Sequence, residues 1–434
     1  MDSDMVALVA DITSRTGAGL IGLFLFVATT MSVMRTVVIP RTLKSLISDT
    51  VQRAVVGTFI MVSKVRRSYR ARDGVMAWAG PSTILLQLIT WLVLYVLSFG
   101  FIIYGVSGQG LGESLRQSGS SLFTLGFATI DKSNQTIIDF AAAATGPIIV
   151  ALMIGFLPSI YSAYLDREVT LTMLTALGGE PAWGPEVLAR AQLSGRIDEL
   201  PDMYREWTLW SAHTRTTHIT YQILVWVRSA RLTRHYLVAI LAVLDAAALQ
   251  AALCSKVNRR EIYDLLLQGS QLMTVLFAYQ RQGRNFRATL PFSGSRRNRV
   301  LPADLANAPG WSHDAKATEI AAYHDVAAAL PPVALSVLKA GFEQPLQITR
   351  ADFDGAVAML KRANFPIDKD LDIAWAEFQQ TRRRYEFPAL ELTYLVDATP
   401  APWSGPRRVP TPTVWPTLAS DVNVAREDVD GEAS

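Results

Sequence analysis

Three long runs free of charge govern what this chain can fold into: Gly17 to Ile39, uncharged up to Arg35; Ser82 to Val106; and Ala141 to Leu165. Crossing the hydrocarbon core of a bilayer takes about 20 apolar residues wound as a helix, because backbone groups left unsatisfied in lipid are too costly. All three runs meet that requirement, so membrane-spanning helices are expected at 17–39, 82–106 and 141–165. The first does not read as a cleaved leader, since Asp2, Asp4 and Asp11 precede it where lysine or arginine would belong. Beyond Asp166 acids and bases recur every few residues, and the mean hydropathy of +0.22 averages these two populations. The expected domain boundary is therefore Leu165/Asp166.

Basic residues give the orientation, because short cytoplasmic flanks retain Lys and Arg. Arg35, Arg41 and Lys44 follow the first run, and Lys64, Arg66, Arg67, Arg70 and Arg72 precede the second. The linker 40–81 is thus expected inside, residues 1–16 and 108–140 outside, and everything after Asp166 in the cytoplasm beneath a plasma membrane; Arg167 agrees. Two further apolar stretches need placing. Val51 to Ser63 carries Arg53 and is too short to cross, which suits an interfacial helix with basic flanks. Tyr236 to Leu253 is apolar except for Asp245, but basic residues flank both ends (Arg228, Arg231 and Arg234; Lys256, Arg259 and Arg260). A span does not normally tolerate that symmetry, so a buried helix of the soluble portion is expected, with Asp245 paired to an arginine.

Charge and composition remove several function classes. A net charge of +3 is too small for a nucleic-acid surface. One cysteine, Cys254, excludes an intrachain disulfide and a cysteine-based zinc cluster. His213, His218, His235, His313 and His324 lack metal-ligand spacing and read as ordinary core or surface residues. No phosphate loop, dinucleotide fingerprint or nucleophile elbow occurs, so an enzyme is unsupported and no cofactor is expected.

Between the second and third runs, Leu111 to Thr129 is too apolar at its end for a solvated loop and too short for a span. It fits a re-entrant element, a short helix over 111–123 and an extended return. Nonhelical backbone at membrane depth is tolerated only where protein packs it or a wet pore receives it. The alternative is a loop that merely packs between helices, its Gly and Ser residues there for close contact.

Thr124-Leu125-Gly126-Phe127-Ala128 lies over the pattern Thr-Val-Gly-Tyr-Gly, and in this setting Ser82 to Leu165 resembles the potassium-channel pore-loop family. The resemblance implies a pore domain at 82–166 with a pore helix at 111–123 and a selectivity filter at 124–128, contributed by each subunit of a homotetramer. Filter carbonyls would replace the hydration shell of a monovalent cation such as potassium. The third run, as the cavity-lining helix, makes Gly155 and Pro158 candidates for a gating bend, or equally for close packing in lipid. Ala128 in place of the second glycine, Thr129 in place of an aspartate and Phe127 in place of tyrosine put strict potassium selectivity in doubt, though Asp131 is near.

After Arg167, apolar residues return at three- and four-residue intervals (Leu171, Leu174, Leu177; Met203, Trp207, Trp210), so 167–399 is expected to be an all-helical cytoplasmic domain. Trp207 to Trp210, Val225 to Ser229 and Ala242 to Leu249 look similar to stretches of bacterial proteins classed with two-transmembrane potassium channels. Arg281, Arg284, Arg287, Arg296, Arg297 and Arg299 form a basic cluster suited to a solvated loop, to anionic lipid or to an acidic ligand. The tail 400–434, proline-rich and then acidic, is expected to be disordered. The expected protein is thus an all-α pore-loop cation channel with an extra N-terminal helix, gated by its helical domain through a ligand the sequence does not name. The alternative is a membrane-anchored sensor or scaffold that kept the architecture and lost conduction; a transporter is disfavoured because three spans contain no internal repeat.

Overall fold

The computed structural model describes residues 2–39, 45–128, 133–282, 326–327 and 330–405. Arg41, Lys44, Thr129, Asp131, His313, His324, the arginines 284, 287, 296, 297 and 299, and the tail from 406 lie outside the described residues. Among the described residues every regular element is a helix. The chain divides into two compact units, Met1–Tyr164 with Thr220–Val227, and Leu165–Ile219 with Arg228–Ser434.

The first unit contains α1 (Asp2–Val33, widening to a π-helical turn at Met34–Val38), α2 (Leu46–Lys64), α3 (Tyr69–Met76), α4 (Ala79–Ser107) and α5 (Leu111–Leu122). It also takes α6 (Ser133–Gly178) as far as Tyr164. Helix α1 begins well before residue 17, because nothing in 2–16 breaks a helix. Thr13 and Thr16 donate their hydroxyls to carbonyls one turn back, and Asp11 pairs with Arg15 at 2.7 Å. Lipid thickness dictates the length of an apolar run, not where its helix starts. The same holds for α6, which continues through Pro147 and Pro158 and stops only where Gly179 turns left-handed at φ 67°.

Helices α1 and α4 pack along small residues. A Cβ on Gly22 would lie 2.6 Å from the Ser98 carbonyl oxygen, and one on Gly105 would lie 3.0 Å from the Gly19 Cα, so only glycine permits this approach. Ser98 donates to the Gly22 carbonyl at 2.7 Å, and Trp91 donates its indole N–H to Ser32 at 3.0 Å. The unit buries Ser98, Ser114, Ser118 and Gln117 while exposing Phe24, Leu85, Ile137, Phe140 and Ile154. That distribution suits a solvent made of lipid, where apolar surface is free to face out and polar groups must find protein partners.

The second unit is built on α9 (Tyr236–Leu253), against which α7 (Gly184–Leu193) and α10 (Arg259–Gln282) pack. It also holds α8 (Leu200–Thr220), α11 (Pro332–Glu343), α12 (Arg350–Arg362), α13 (Leu371–Arg382) and α14 (Glu386–Leu395). Every residue of α9 except Ala251 is buried, which explains why its composition matches that of a span. Its one acid, Asp245, meets Arg382 at 2.8 Å and accepts from the Tyr385 hydroxyl at 2.8 Å.

Candidate functional site

Among the described residues, four helices are long and apolar enough to cross a membrane, at Asp11–Val38, Tyr69–Ser107, Thr136–Gly178 and Tyr236–Leu253, the last with 94% of its apolar window buried. The short helix α5, between the second and third, is made largely of weak helix formers, and its inward face is polar: Ser114, Gln117, Ser118 and Ser120 are all buried. A buried hydroxyl costs free energy unless it is bonded, and these are bonded. Ser114 donates to the Gly110 carbonyl at 3.1 Å and Ser118 to the Val96 carbonyl of α4 at 2.8 Å. Close approach of α6 fixes the far end: a Cβ on Gly146 would fall 2.0 Å from the Leu122 carbonyl oxygen.

From Phe123 the chain reverses on the end of α5. Thr124 and Gly126 take positive φ of 55° and 69°, while Leu125 and Phe127 do not. Alternating hand turns successive peptide N–H groups toward one side. The hydrogen bonds follow that geometry: Thr124 N–H donates to the Ser121 carbonyl at 3.0 Å and Leu125 N–H to the Ser120 carbonyl at 2.8 Å. The N–H groups of Phe127 and Ala128 both donate to the Ser120 hydroxyl oxygen at 3.1 Å. In a planar trans peptide the C=O points opposite to the following N–H. The carbonyls of Phe123, Thr124, Gly126 and Phe127 are thereby directed opposite to those amides; that of Phe123 accepts from the Thr124 hydroxyl at 2.8 Å, whereas those of Thr124, Gly126 and Phe127 accept no hydrogen bond among the described residues. Leu125 and Phe127 are 61% and 57% exposed in the single chain.

Two side chains carry parts of this arrangement that the sequence reading did not assign. Ser120 accepts the amides of Phe127 and Ala128 on its hydroxyl oxygen and that of Leu125 on its carbonyl, a role that residue spacing does not assign. Arg116 lies with its guanidinium carbon 5.4 Å from the Phe127 ring centroid, a cation–π contact between α5 and the returning chain. The left-handed Thr124 costs about 1 kcal/mol for a residue with a Cβ, strain of the kind that gathers at functional positions.

The other candidate residues fall elsewhere. Gly155 and Pro158 lie inside α6, with open space around the Cβ that Gly155 lacks. Arg281 ends α10 in the second unit, and the rest of its basic cluster is outside the described residues. Of the histidines, His235 caps α9 by accepting from Leu237 N–H at 3.3 Å, and His218 is buried with Nε2 at 3.2 Å from Arg167. Burial, and then the Arg167 charge, push His218 well below the ordinary imidazole range. Burial raises Asp245 to about 6, partly offset by Arg382 and the Tyr385 hydroxyl. Trp207 and Trp210 pack on each other with ring centroids 4.8 Å apart inside the second unit.

Together these features define the class: an all-helical protein with helices fit to cross a membrane, joined to a unit with a conventional apolar core. Comparison with family models, with curated proteins and with solved structures yields no match for this chain.

Proposed function

We propose that the chain is the subunit of a cation channel, with residues 124–128 from each of four copies lining a narrow pore. The observation that carries this reading is the set of uncommitted peptide oxygens at Thr124, Gly126 and Phe127, placed opposite amides that are tied back to Ser120. A dehydrated cation needs rings of oxygen ligands, and carbonyls from several chains around one axis supply them. The C-terminal end of α5 adds the negative end of a helix dipole at the same place. Four copies also give the exposed side chains of Leu125 and Phe127 neighbours to pack against.

In this reading the permeant ion is monovalent, with potassium favoured by the Thr-Leu-Gly-Phe pattern and selectivity relaxed by Ala128. The N-terminus is outside and the second unit cytoplasmic, where its helices act on α6. Purified full-length protein in planar bilayers is expected to pass cations, and Gly126→Asp to abolish the current. No cation current from the wild type, or an unaltered current from Gly126→Asp, would sink the proposal.

A further inference from the structure

Asp139 is an acid six residues into α6, just before the charge-free run 141–165. A carboxylate packed against a neighbouring helix must find donors there to offset its lost hydration. Its two carboxylate oxygens are both taken: Oδ1 accepts from the Ser121 hydroxyl at 2.8 Å, and Oδ2 accepts from Gln117 Nε2 at 2.8 Å. Gln117 and Ser121 stand one turn apart on the same face of α5. A single carboxylate therefore grips α5 at two points, which fixes both its rotation about its own axis and its position along it. Gln117 is itself braced, its Oε1 accepting from Gln109 Nε2 at 3.2 Å.

The neighbour of Ser121 is Ser120, whose hydroxyl receives the amides of Phe127 and Ala128. Any rotation of α5 swings Ser120 with it and carries those two amides, and the carbonyls anchored to them, out of line. Resting on the channel reading, we propose that Asp139 is a positioning residue for the ion path: it locks α5 so that Ser120 holds the oxygen row in register. An ionised carboxylate suits the role because it accepts from both donors at once and gives charge-assisted bonds, roughly twice as strong as neutral ones.

The test compares wild type, Asp139→Ala and Ser121→Ala in the full-length oligomer. The second variant removes only one of the two grips and leaves the apolar packing of α6 untouched, so it serves if Asp139→Ala does not assemble. Two readouts are taken. Hydrogen exchange of the segment 123–128 is expected to quicken by about tenfold in Ser121→Ala, the factor lost with one charge-assisted hydrogen bond, and by more in Asp139→Ala, while α1 and α4 keep wild-type protection. The permeability ratio of potassium to sodium, read from reversal potentials, is expected to shift in both variants. A residue that merely aided assembly would lower the yield of channels without changing the permeability ratio of those that form. Unchanged exchange at 123–128, or an unchanged ratio in Ser121→Ala channels, overturns the proposal while leaving the channel reading in place. A silent wild type ends both.

Discussion

Replacing Arg382 with methionine is the sharpest test of how the second unit is held together. Arg382, Asp245 and Glu386 are each no more than 3% exposed, and the guanidinium meets Asp245 at 2.8 Å and Glu386 at 3.3 Å. It also donates to the Trp403 carbonyl at 2.8 Å and lies 5.3 Å from the Trp403 ring centroid. Burial works against the charge on Arg382, but the two acids outweigh it and hold the group protonated. Methionine keeps most of the volume, so little cavity is made, and the loss is electrostatic: two carboxylates remain in the core without their cation. Removing one partner of a buried ion cluster costs about 3–5 kcal/mol. Asp245→Asn is the control, because the cluster holds two acids against one cation, and asparagine keeps an acceptor for the Tyr385 hydroxyl 2.8 Å away. Its cost is expected to be about 1 kcal/mol or less. The sign with pH follows from the acids. An orphaned buried carboxylate has a folded-state pKa above its unfolded value, so its penalty grows as pH rises through the folded value and vanishes in acid. Urea titrations of the detergent-solubilised full chain, read by hydrogen exchange of α9, should show a larger Arg382→Met deficit at pH 8 than at pH 5.5. A deficit below about 1 kcal/mol, or one equal at the two pH values, would refute this account.

Gly146→Ala should destabilise the first unit by more than the ~1–3 kcal/mol of ordinary overpacking, since the new Cβ meets the Leu122 backbone carbonyl, which cannot swing aside as a side chain would, whereas Gly155→Ala, with open space, should be neutral or slightly stabilising. Thermal melts in detergent check the pair, and the reverse order would contradict the helix contact described. His218 resists protonation in the folded unit while the unfolded chain takes a proton near 6.5, so the histidine's contribution to stability falls as pH drops below that value. Relative to His218→Gln, the wild type should lose about 1 kcal/mol more between pH 7.5 and 5.5 in urea titrations, and parallel pH profiles would argue against it.

The apolar runs of α1, α4 and α6 were legible in the sequence because lipid acts on composition directly: every residue of the run must be apolar, whatever its neighbours in space. Helix α9 carries the same composition for the opposite reason, being wrapped by protein, and only the basic residues at both its ends separated the two cases. The partner of Asp245 was legible as a residue type and not as a position, since Arg382 reaches it from a helix far along the chain. Element ends were blurred where no breaker marked them, as at the start of α1 and the end of α6. The roles of Ser120, Arg116 and Asp139 depend on the rotation of α5 about its axis, a quantity that no spacing along the chain encodes.

That rotation also bears on why α5 is written in serine. A short helix filling space between two spans is most cheaply built from Ala and Leu, which have high helix propensity and need no partners. Leu111–Leu122 instead carries four serines, three glycine or glutamine positions and a buried polar face, a sequence that would fray in isolation. Ser114 bonds back to Gly110, but the other three serines are satisfied by different segments: Ser118 by α4, Ser121 by α6, Ser120 by the returning chain. A helix so composed favours one orientation, because turning it leaves several buried hydroxyls without their partners. Spacer loops have no use for such a constraint, whereas a row of carbonyl oxygens that must match an ion does. The cost in propensity is the physical reason to read α5 as an aiming device for residues 123–128.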